Sequence, residues 1–421
     1  MEVVVSTHQL SWIGGTQTYI LTVAEHLEQL GHAVTIYALE TGQMADLARE
    51  RGLRVVGSER ELPESCDVVY AQEPTTALAL GERYPSTPSV FALWSKENPY
   101  WVPPQLPGTI AAVMAPNDRA QARAEAFAQS TEIVRLSQPV DIRRFSPRGP
   151  LRTERPRVLL LGNYVTGERR KLFFRACADV GYECEQIGHK SDVVSLSPEA
   201  VLNDADIAVG KARVIVEAMA CGRAAFVYDQ SGGDGWVTPE KYPQLEADNF
   251  AGRAFPDVFD LDRLRRELRE YRPEMGTVNR DLAVAHHNAT RHAEELVELF
   301  QRVAPRAAPA GTPVQELARL VRLQWAANAR ATTLAGEAQA ARDRLDELVT
   351  EHESFRGELL RTQASAQAAE RRAEEAERLA RETWERELEL RGTRRYRIAS
   401  VLSAPLDAAR SLARRNGAKT E

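Results

Sequence analysis

The sequence predicts an α/β protein with two doubly wound lobes, followed by a long α-helical coiled coil. Strand and helix patterns alternate along residues 1–150 and again along residues 155–305, and a heptad pattern covers residues 314–390. Short apolar runs rich in β-branched residues are typical of buried parallel strands, and their alternation with helices predicts Rossmann-like lobes. Two such lobes in tandem place the carboxyl ends of their strands across a cleft, where ligands usually bind.

The first lobe, residues 1–150, begins directly with a strand pattern. Its predicted strands are residues 2–6, 33–38, 67–71, 89–93 and 110–115. Its predicted helices include residues 16–30, 43–51 and 118–127. A stretch rich in proline and arginine at residues 145–157 then predicts a linker.

The second lobe, residues 155–305, repeats the alternation. We predict strands at residues 157–162, 184–188, 206–210 and 224–228, and a helix at residues 283–303 that closes the lobe. A second linker, residues 304–313, contains three prolines. It separates the lobes from a region dominated by Ala, Glu, Arg, Gln and Leu.

In residues 314–390 the apolar positions step by three and four alternately, which predicts a self-associating coiled coil and hence a homo-oligomer. The alternative is a single solvated helix that folds back on the lobes. A few seam positions are polar, and such residues fix register at some cost in stability. The seam is Leu317, Leu320, Gln324, Ala327, Ala331, Leu334, Ala338, Ala341, Leu345, Leu348, His352, Phe355, Leu359, Thr362, Ala366, Ala369, Ala373, Ala376 and Ala380.

Composition and charge exclude several classes of protein. The net charge of −6 argues against a nucleic-acid partner, which requires a basic face. Four scattered cysteines without metal-ligand spacing predict a reducing compartment and no metal site. The sequence shows no signal-peptide pattern and no long apolar run, so we expect a cytoplasmic protein.

The C-terminal segment, residues 391–421, is a basic amphipathic tail. Residues 391–415 contain seven arginines and one aspartate, with apolar residues between them. Such a segment can lie on an anionic membrane surface, here the inner face. The alternative is a solvated basic end.

Three segments could bind a ligand at the predicted cleft. Gly14 and Gly15 follow the first strand, where glycine lets the backbone and a helix N-terminus approach anionic oxygens; a purely structural turn is the alternative. Glu217 could accept hydrogen bonds from vicinal hydroxyls, as in a ribose, or could pair with Arg213 four residues earlier. Gly232 and Gly233 begin a predicted loop that could wrap a phosphate or form a surface turn.

Together these segments resemble family 4 of the retaining glycosyltransferases, which have the GT-B fold. The resemblance covers residues 1–305. The matching motifs are Gly14-Gly15, Gly31-His32-Ala33-Val34, Val140-Asp141 with Phe145 and Pro147, Glu217-Ala218-Met219-Ala220-Cys221-Gly222, and Gly232-Gly233.

The resemblance implies an active site between the lobes, with the first lobe on the acceptor side and the second lobe on the nucleotide-sugar side. The site would bind a nucleotide-diphosphate sugar and require no metal or bound cofactor. Glu217 would hold the ribose, the segment from Gly232 and Gly233 would lie near the donor, and Gly14-Gly15 would face the donor phosphates and the acceptor. Gly162, in the turn after the first strand of the second lobe, is a further candidate for binding the donor. A departing diphosphate needs fixed cations. The candidates are Arg169, Arg170 and Lys171, which follow Gly162, together with Lys211 and Arg213; a solvated basic helix face is the alternative for the first three. His8, Glu73 and Lys96 are further residues expected near the mouth of the cleft.

The sequence also departs from the family pattern. A second glutamate, usual eight positions before Glu217, is replaced by Val209, and the usual arginine after the Gly162 turn is Asn163. The family's histidine after the fourth strand is replaced around Trp94-Ser95-Lys96, and the connector has Gln138-Pro139 in place of Asn-Gly.

We therefore predict a hexosyltransferase-like enzyme of bacterial cell-envelope polysaccharide biosynthesis. It would move a sugar from a nucleotide-diphosphate donor to a cell-surface glycan or glycolipid, with retention. The rival hypothesis is a non-catalytic scaffold that binds a glycan or nucleotide with a degenerate transferase fold and recruits partners through its coiled coil. A third hypothesis makes the coiled coil a ruler for glycan length.

Overall fold

The structure is a computed structural model of the 421-residue chain. It describes the chain except for residues 95–100, 105–107, 128–130, 163–164, 189–196, 231, 256–258, 304–313, 394, 396, 399 and 403–421. The chain divides into two compact units, Met1–Trp325 and Ala326–Glu421.

The first unit contains a sheet of seven parallel strands with the order β3-β2-β1-β4-β5-β6-β7 within the described residues. The first strand, β1, lies inside the sheet, and its Val3, Val4 and Val5 are fully buried, because helices cover both faces of a parallel sheet. The strands are β1 (Glu2–Leu10), β2 (Ala33–Thr41), β3 (Arg54–Val56), β4 (Val68–Ala71), β5 (Ser89–Ala92), β6 (Ala112–Ala115) and β7 (Glu132–Arg135). The helices of this part are α1 (Gly15–Gln29), α2 (Gln43–Glu50), α3 (Pro74–Arg83) and α4 (Asp118–Phe127), with a 3-10 turn at Glu59–Glu61.

A second sheet in the same unit has the order β12-β11-β10-β8-β9. Its pairs are parallel except that β12 runs antiparallel to β11. The strands are β8 (Arg157–Leu161), β9 (Glu183–Ile187), β10 (Ile207–Gly210), β11 (Ala224–Asp229) and β12 (Gly232–Trp236). The helices are α5 (Gly167–Val180), α6 (Pro198–Asp204), α7 (Arg213–Ala220), α8 (Tyr242–Ala247), α9 (Leu261–Arg269) and α10 (Glu274–His286). The predicted α/β class and its two parallel sheets are thus confirmed.

The predicted helix at residues 283–303 is instead the end of α10 and a separate helix, α11 (Ala289–Arg302). Asn288 separates the two helices: its side chain caps α11 by accepting from the Thr290 N–H, and its backbone bridges to Val140. Helix α11 does not close the second lobe. Its apolar face joins the core of the first sheet beside α1, through Ala293, Leu296, Leu299 and Phe300.

The last described element is a single helix, α12 (Val314–Gly392), of 79 residues. It covers the region predicted to be helical, and the linker at residues 304–313 lies outside the described part. Seam side chains in the second unit are exposed, for example Leu345 at 59% and Phe355 at 67%. The pairing of this helix with another stays a prediction. Of the basic tail, the described residues up to Leu402 are exposed and largely helical.

None of the helices in the described part of the chain has the length and apolar character needed to cross a bilayer.

Candidate functional site

A cavity of about 1060 Å³ lies within the first unit, where the carboxyl ends of strands from both sheets meet. This edge is the usual ligand site of open α/β sheets. One wall comes from the ends of β1 and β4 and from the start of α1. The opposite wall comes from the ends of β8, β9, β10 and β11 and from the start of α7. The first turns of α12 also line it.

Gly14 and Gly15 lie in this cavity, at the N-terminus of α1, as the sequence predicted. The space around the Gly15 Cα is open, since an added Cβ would meet no atom within 4 Å. The backbone of the turn is therefore accessible to a ligand. The first N–H groups of a helix point outward and carry partial positive charge, so they favour a bound anion here.

The turn between β10 and α7 is conformationally strained. A Cβ on Gly210 would lie 2.8 Å from the Leu161 carbonyl oxygen, so only glycine fits that position. Ala212 has φ +50° and ψ −123°, a region that alanine adopts at a cost of about 1–3 kcal/mol. The turn places Lys211, Ala212 and Arg213 together in the cavity wall.

Arg213 and Glu217 form a buried ion pair one turn apart on α7. The Arg213 Nε donates to Glu217 Oε1 over 2.7 Å, and both side chains are under 10% exposed. Arg213 also donates to Thr22 Oγ1 on α1 at 3.0 Å and to the Pro139 carbonyl at 3.3 Å. Of the two interpretations left open by the sequence, the structure contains the ion pair. Both residues nevertheless line the cavity.

The environment of Glu217 disfavours its charge. Burial raises the pKa of Glu217, and the attraction of Arg213 opposes this without cancelling it. Beside it, Lys211 donates to the buried carboxylate of Asp229 at the end of β11. The two cations, Lys211 and Arg213, are thus each paired with a carboxylate.

The other predicted cations lie elsewhere. Arg169, Arg170 and Lys171 are on α5 and do not line the cavity. Lys171 pairs with Glu168 at 2.7 Å, and Arg170 donates to Gln186 at 2.6 Å. Their proposed contact with a diphosphate stays untested, and their position gives it no support.

The glycine-rich segment expected to be a loop is strand β12. A Cβ on Gly232 would lie 2.4 Å from the Gly252 carbonyl, and one on Gly233 would lie 3.1 Å from the Val227 carbonyl. Backbone packing within the second sheet therefore accounts for these glycines. They do not line the cavity, whereas Gly162, at the end of β8, does.

Some residues that line the cavity belong to none of the motifs in the sequence. Gln72 follows β4 and Asp229 ends β11, so their position after a buried strand could have identified them. Glu73, which was expected near the mouth of the cleft, lines the cavity beside Gln72. His8 also lines the cavity. Lys96 and Asn163 lie outside the described residues, and Val209 is buried in β10. Helix α12 contributes Leu317, Leu320, Val321 and Gln324 to the lining. The sequence assigned three of these residues to the coiled-coil seam, and only the alternative of a helix folded back on the lobes allows for such a contact.

No protein-family model matches the sequence, and no curated protein matches it either. Solved structures match the fold. A glycosyltransferase from Rickettsia africae has a TM-score of 0.51 at 12% identity, covering 72% of this chain and 98% of its own. The Anabaena protein HepE, solved with UDP-glucose, has a TM-score of 0.48 at 12% identity, covering 72% and 99%. The pneumococcal O-GlcNAc transferase GtfA, solved with UDP and GlcNAc, has a TM-score of 0.49 at 9% identity, covering 72% and 99%.

The likeness to the Rickettsia structure shows that residues of the first unit adopt the α/β GT-B fold of glycosyltransferases. At such low identity the likeness concerns the fold, and the function must be argued from the cavity itself.

Proposed function

We propose that this protein is a glycosyltransferase that transfers a sugar from a nucleotide-diphosphate donor to a cell-surface glycan or glycolipid. Transfer would proceed with retention, as the resemblance to family 4 implies. The proposal depends above all on one observation. Lys211, Arg213 and Glu217 meet the open N-terminus of α1 in a single cavity at the carboxyl ends of two parallel sheets.

The donor diphosphate would bind between the two walls. The N–H groups at Gly15 and the charges of Lys211 and Arg213 would stabilise the negative charge that develops as the diphosphate leaves. Because these groups are held in place before the donor arrives, little reorganisation accompanies the reaction. We name no general base at the sugar carbon.

Glu217 would hold the ribose of the donor. Its Oε1 already accepts from Arg213, so the ribose hydroxyls would hydrogen-bond to Oε2. The Arg213 contact opposes the effect of burial and so favours the ionised carboxylate, which acts as an acceptor.

The long helix α12 would associate with a second copy through its exposed seam. Apolar side chains that recur at heptad positions bury their surface in this way. Leu317, Leu320 and Gln324, the first seam positions, line the cavity, so the paired seam would begin further along the helix. The basic tail would contact an anionic membrane surface near the acceptor, in a cytoplasmic location.

The second candidate is a non-catalytic scaffold that binds a nucleotide or glycan. The Arg213–Glu217 pair favours the scaffold, since each charge is already satisfied without a ligand.

A turnover assay separates the two candidates. We would incubate the full chain with a panel of nucleotide sugars and with methyl glycosides as simple acceptors, measure the nucleoside diphosphate released, and repeat the assay with Glu217→Gln. Release by the wild type that falls in the variant supports the transferase. If the protein binds a nucleotide sugar but releases no nucleoside diphosphate, the result supports the scaffold.

A further inference from the structure

Two polar atoms in the first-sheet wall of the cavity lack partners. Gln72 and Glu73, at the end of β4, are only 4% and 7% exposed, and both line the cavity. The Gln72 Nε2 and the Glu73 Oε1 make no hydrogen bond within the described structure. One is a donor from an amide and the other belongs to a carboxyl group, and they are adjacent in sequence.

The other carboxyl oxygen of Glu73, Oε2, accepts a hydrogen bond that fixes the side chain. Thr76 Oγ1 donates to Glu73 Oε2 over 2.6 Å. Thr76 thereby uses its single hydroxyl proton, so Ser6 Oγ, 2.8 Å away, donates to Thr76. This buried chain from β1 to α3 fixes the carboxyl group and leaves Oε1 without a bond.

Buried polar atoms that lack a hydrogen-bond partner (orphan atoms) are costly. Each buried group without a partner disfavours the folded state, because it has lost its hydrogen bonds to water without replacing them. Such groups are rare in native structures, and a ligand that supplies the missing bonds is one explanation. A sugar hydroxyl both donates and accepts, so a pair of hydroxyls can satisfy an amide N–H and a carboxyl oxygen together.

We propose that Gln72 and Glu73 form a hydroxyl-binding subsite for the acceptor sugar on the first-sheet wall of the cavity. The identification of the ligand as an acceptor rests on the proposed transferase function. The wall opposite holds Lys211, Arg213 and Glu217, whose charges suit the donor, so the acceptor takes the first-sheet wall, where Gln72 and Glu73 lie.

The protonation of Glu73 is consistent with this role. Burial raises the pKa of Glu73 to about 8, while the Thr76 hydroxyl and the backbone N–H groups of Glu73 and His8 pull it the other way. Near neutral pH the group therefore exchanges between a carboxyl that donates and a carboxylate that accepts. Either form can bond to a hydroxyl.

The test uses the full chain and simple probes, the methyl glycosides of glucose, galactose and mannose, with binding followed by ligand-observed NMR. Gln72→Leu and Glu73→Leu remove the orphan atoms. Thr75→Val is the matched control, because Thr75 lines the same cavity but is exposed and has no orphan atom. Glu73→Gln is measured as well in case Glu73→Leu does not fold. Binding of nucleoside diphosphates by each variant is measured in parallel.

We expect at least one methyl glycoside to bind to the wild type and to Thr75→Val. Its affinity should fall about fivefold in Gln72→Leu and in Glu73→Leu, since one hydrogen bond contributes about 1 kcal/mol. Nucleotide affinity should not change. Equal glycoside affinity in the wild type and the variants, or a wild type that binds no glycoside, would overturn the subsite. A wild type that binds glycosides and no nucleoside diphosphate would contradict the transferase function instead.

Discussion

Arg213 and Glu217 form a 2.7 Å ion pair on one face of α7, and the same arginine reaches Thr22 on α1, so one side chain connects elements of both sheets at the cavity. A buried pair of this kind contributes less net stability than its geometry suggests, because both ions lose their hydration. Removing one partner is costly, because the other charge is then buried alone.

We predict that Arg213→Met lowers the free energy of unfolding by about 3–5 kcal/mol. The double variant Arg213→Met with Glu217→Leu should recover most of this loss, because it leaves no unpaired charge. Urea denaturation of the three proteins measures both effects. If the double variant is less stable than the single one, the ion pair is not the source of the loss.

A second prediction concerns the stability of the strained turn at Ala212. Ala212→Gly should raise the free energy of unfolding by about 1 kcal/mol, because glycine adopts positive φ without the clash of a Cβ. Ala178, exposed in the last turn of α5, is the control: Ala178→Gly should lower stability by up to about 1 kcal/mol, because glycine is a poorer helix former than alanine. A loss of stability at both positions would show that Ala212 is not strained.

Two buried histidines should make the folded protein less stable at acid pH. His287 donates from Nδ1 to the Gln138 carbonyl, 2.7 Å away, and His292 hydrogen-bonds to Tyr19 at 3.0 Å. Burial lowers the pKa of His287 to about 4 and that of His292 to about 3, from an ordinary 6.5. Below pH 6.5 the unfolded chain binds protons that the folded chain excludes, so stability falls as the pH falls toward the folded values.

Each histidine should remove about 1.4 kcal/mol per pH unit in this window. The measurement is urea denaturation of the wild type and His292→Gln between neutral pH and about pH 5, where both histidines contribute. Glutamine in the variant cannot bind the proton that His292 takes up in the unfolded chain, so the stability of the variant should depend less steeply on pH. Equal slopes for the two proteins would mean that His292 is protonated in the folded state.

The seam of α12 predicts self-association. Leu359 is a seam residue and Leu360 is not, although both are about half exposed in the single chain. Leu359→Lys should weaken the oligomer strongly, whereas Leu360→Lys should leave it intact, because only the seam faces the partner helix. Analytical ultracentrifugation gives the mass of each species. A monomeric wild type, or equal effects of the two substitutions, would contradict the coiled coil.

Most of the fold could be predicted from the sequence because buried parallel strands are marked by apolar runs such as Val3–Val5. Strands without such a run, for example β3 (Arg54–Val56) and β7 (Glu132–Arg135), were not among the predicted elements. Helix α11 was joined to α10 because their apolar patterns continue across Asn288. The break depends on a bridge to Val140, which lies far away in the sequence.

The candidate site was predicted in part, for a related reason. Gly14, Gly15, Gly162, Lys211, Arg213 and Glu217 follow strands whose ends meet in the cavity, and all line it. Gly232 and Gly233 also follow a strand, but the chain turns back there to pair with β11. The orphan atoms of Gln72 and Glu73 are a property of packing, which a sequence pattern does not record.

The most direct test of a donor site in this cavity is nucleoside diphosphate binding, measured by isothermal titration calorimetry for wild type, Lys211→Met and Lys171→Met. Lys211 lines the cavity, whereas Lys171 is an exposed lysine on α5. We predict that one nucleoside diphosphate binds to the wild type, that Lys211→Met weakens its affinity by about tenfold or more, and that Lys171→Met does not change it, since a charge-assisted contact contributes about 1.5–3 kcal/mol. No binding at millimolar concentration, or equal affinity in the wild type and Lys211→Met, would contradict a donor site between these walls.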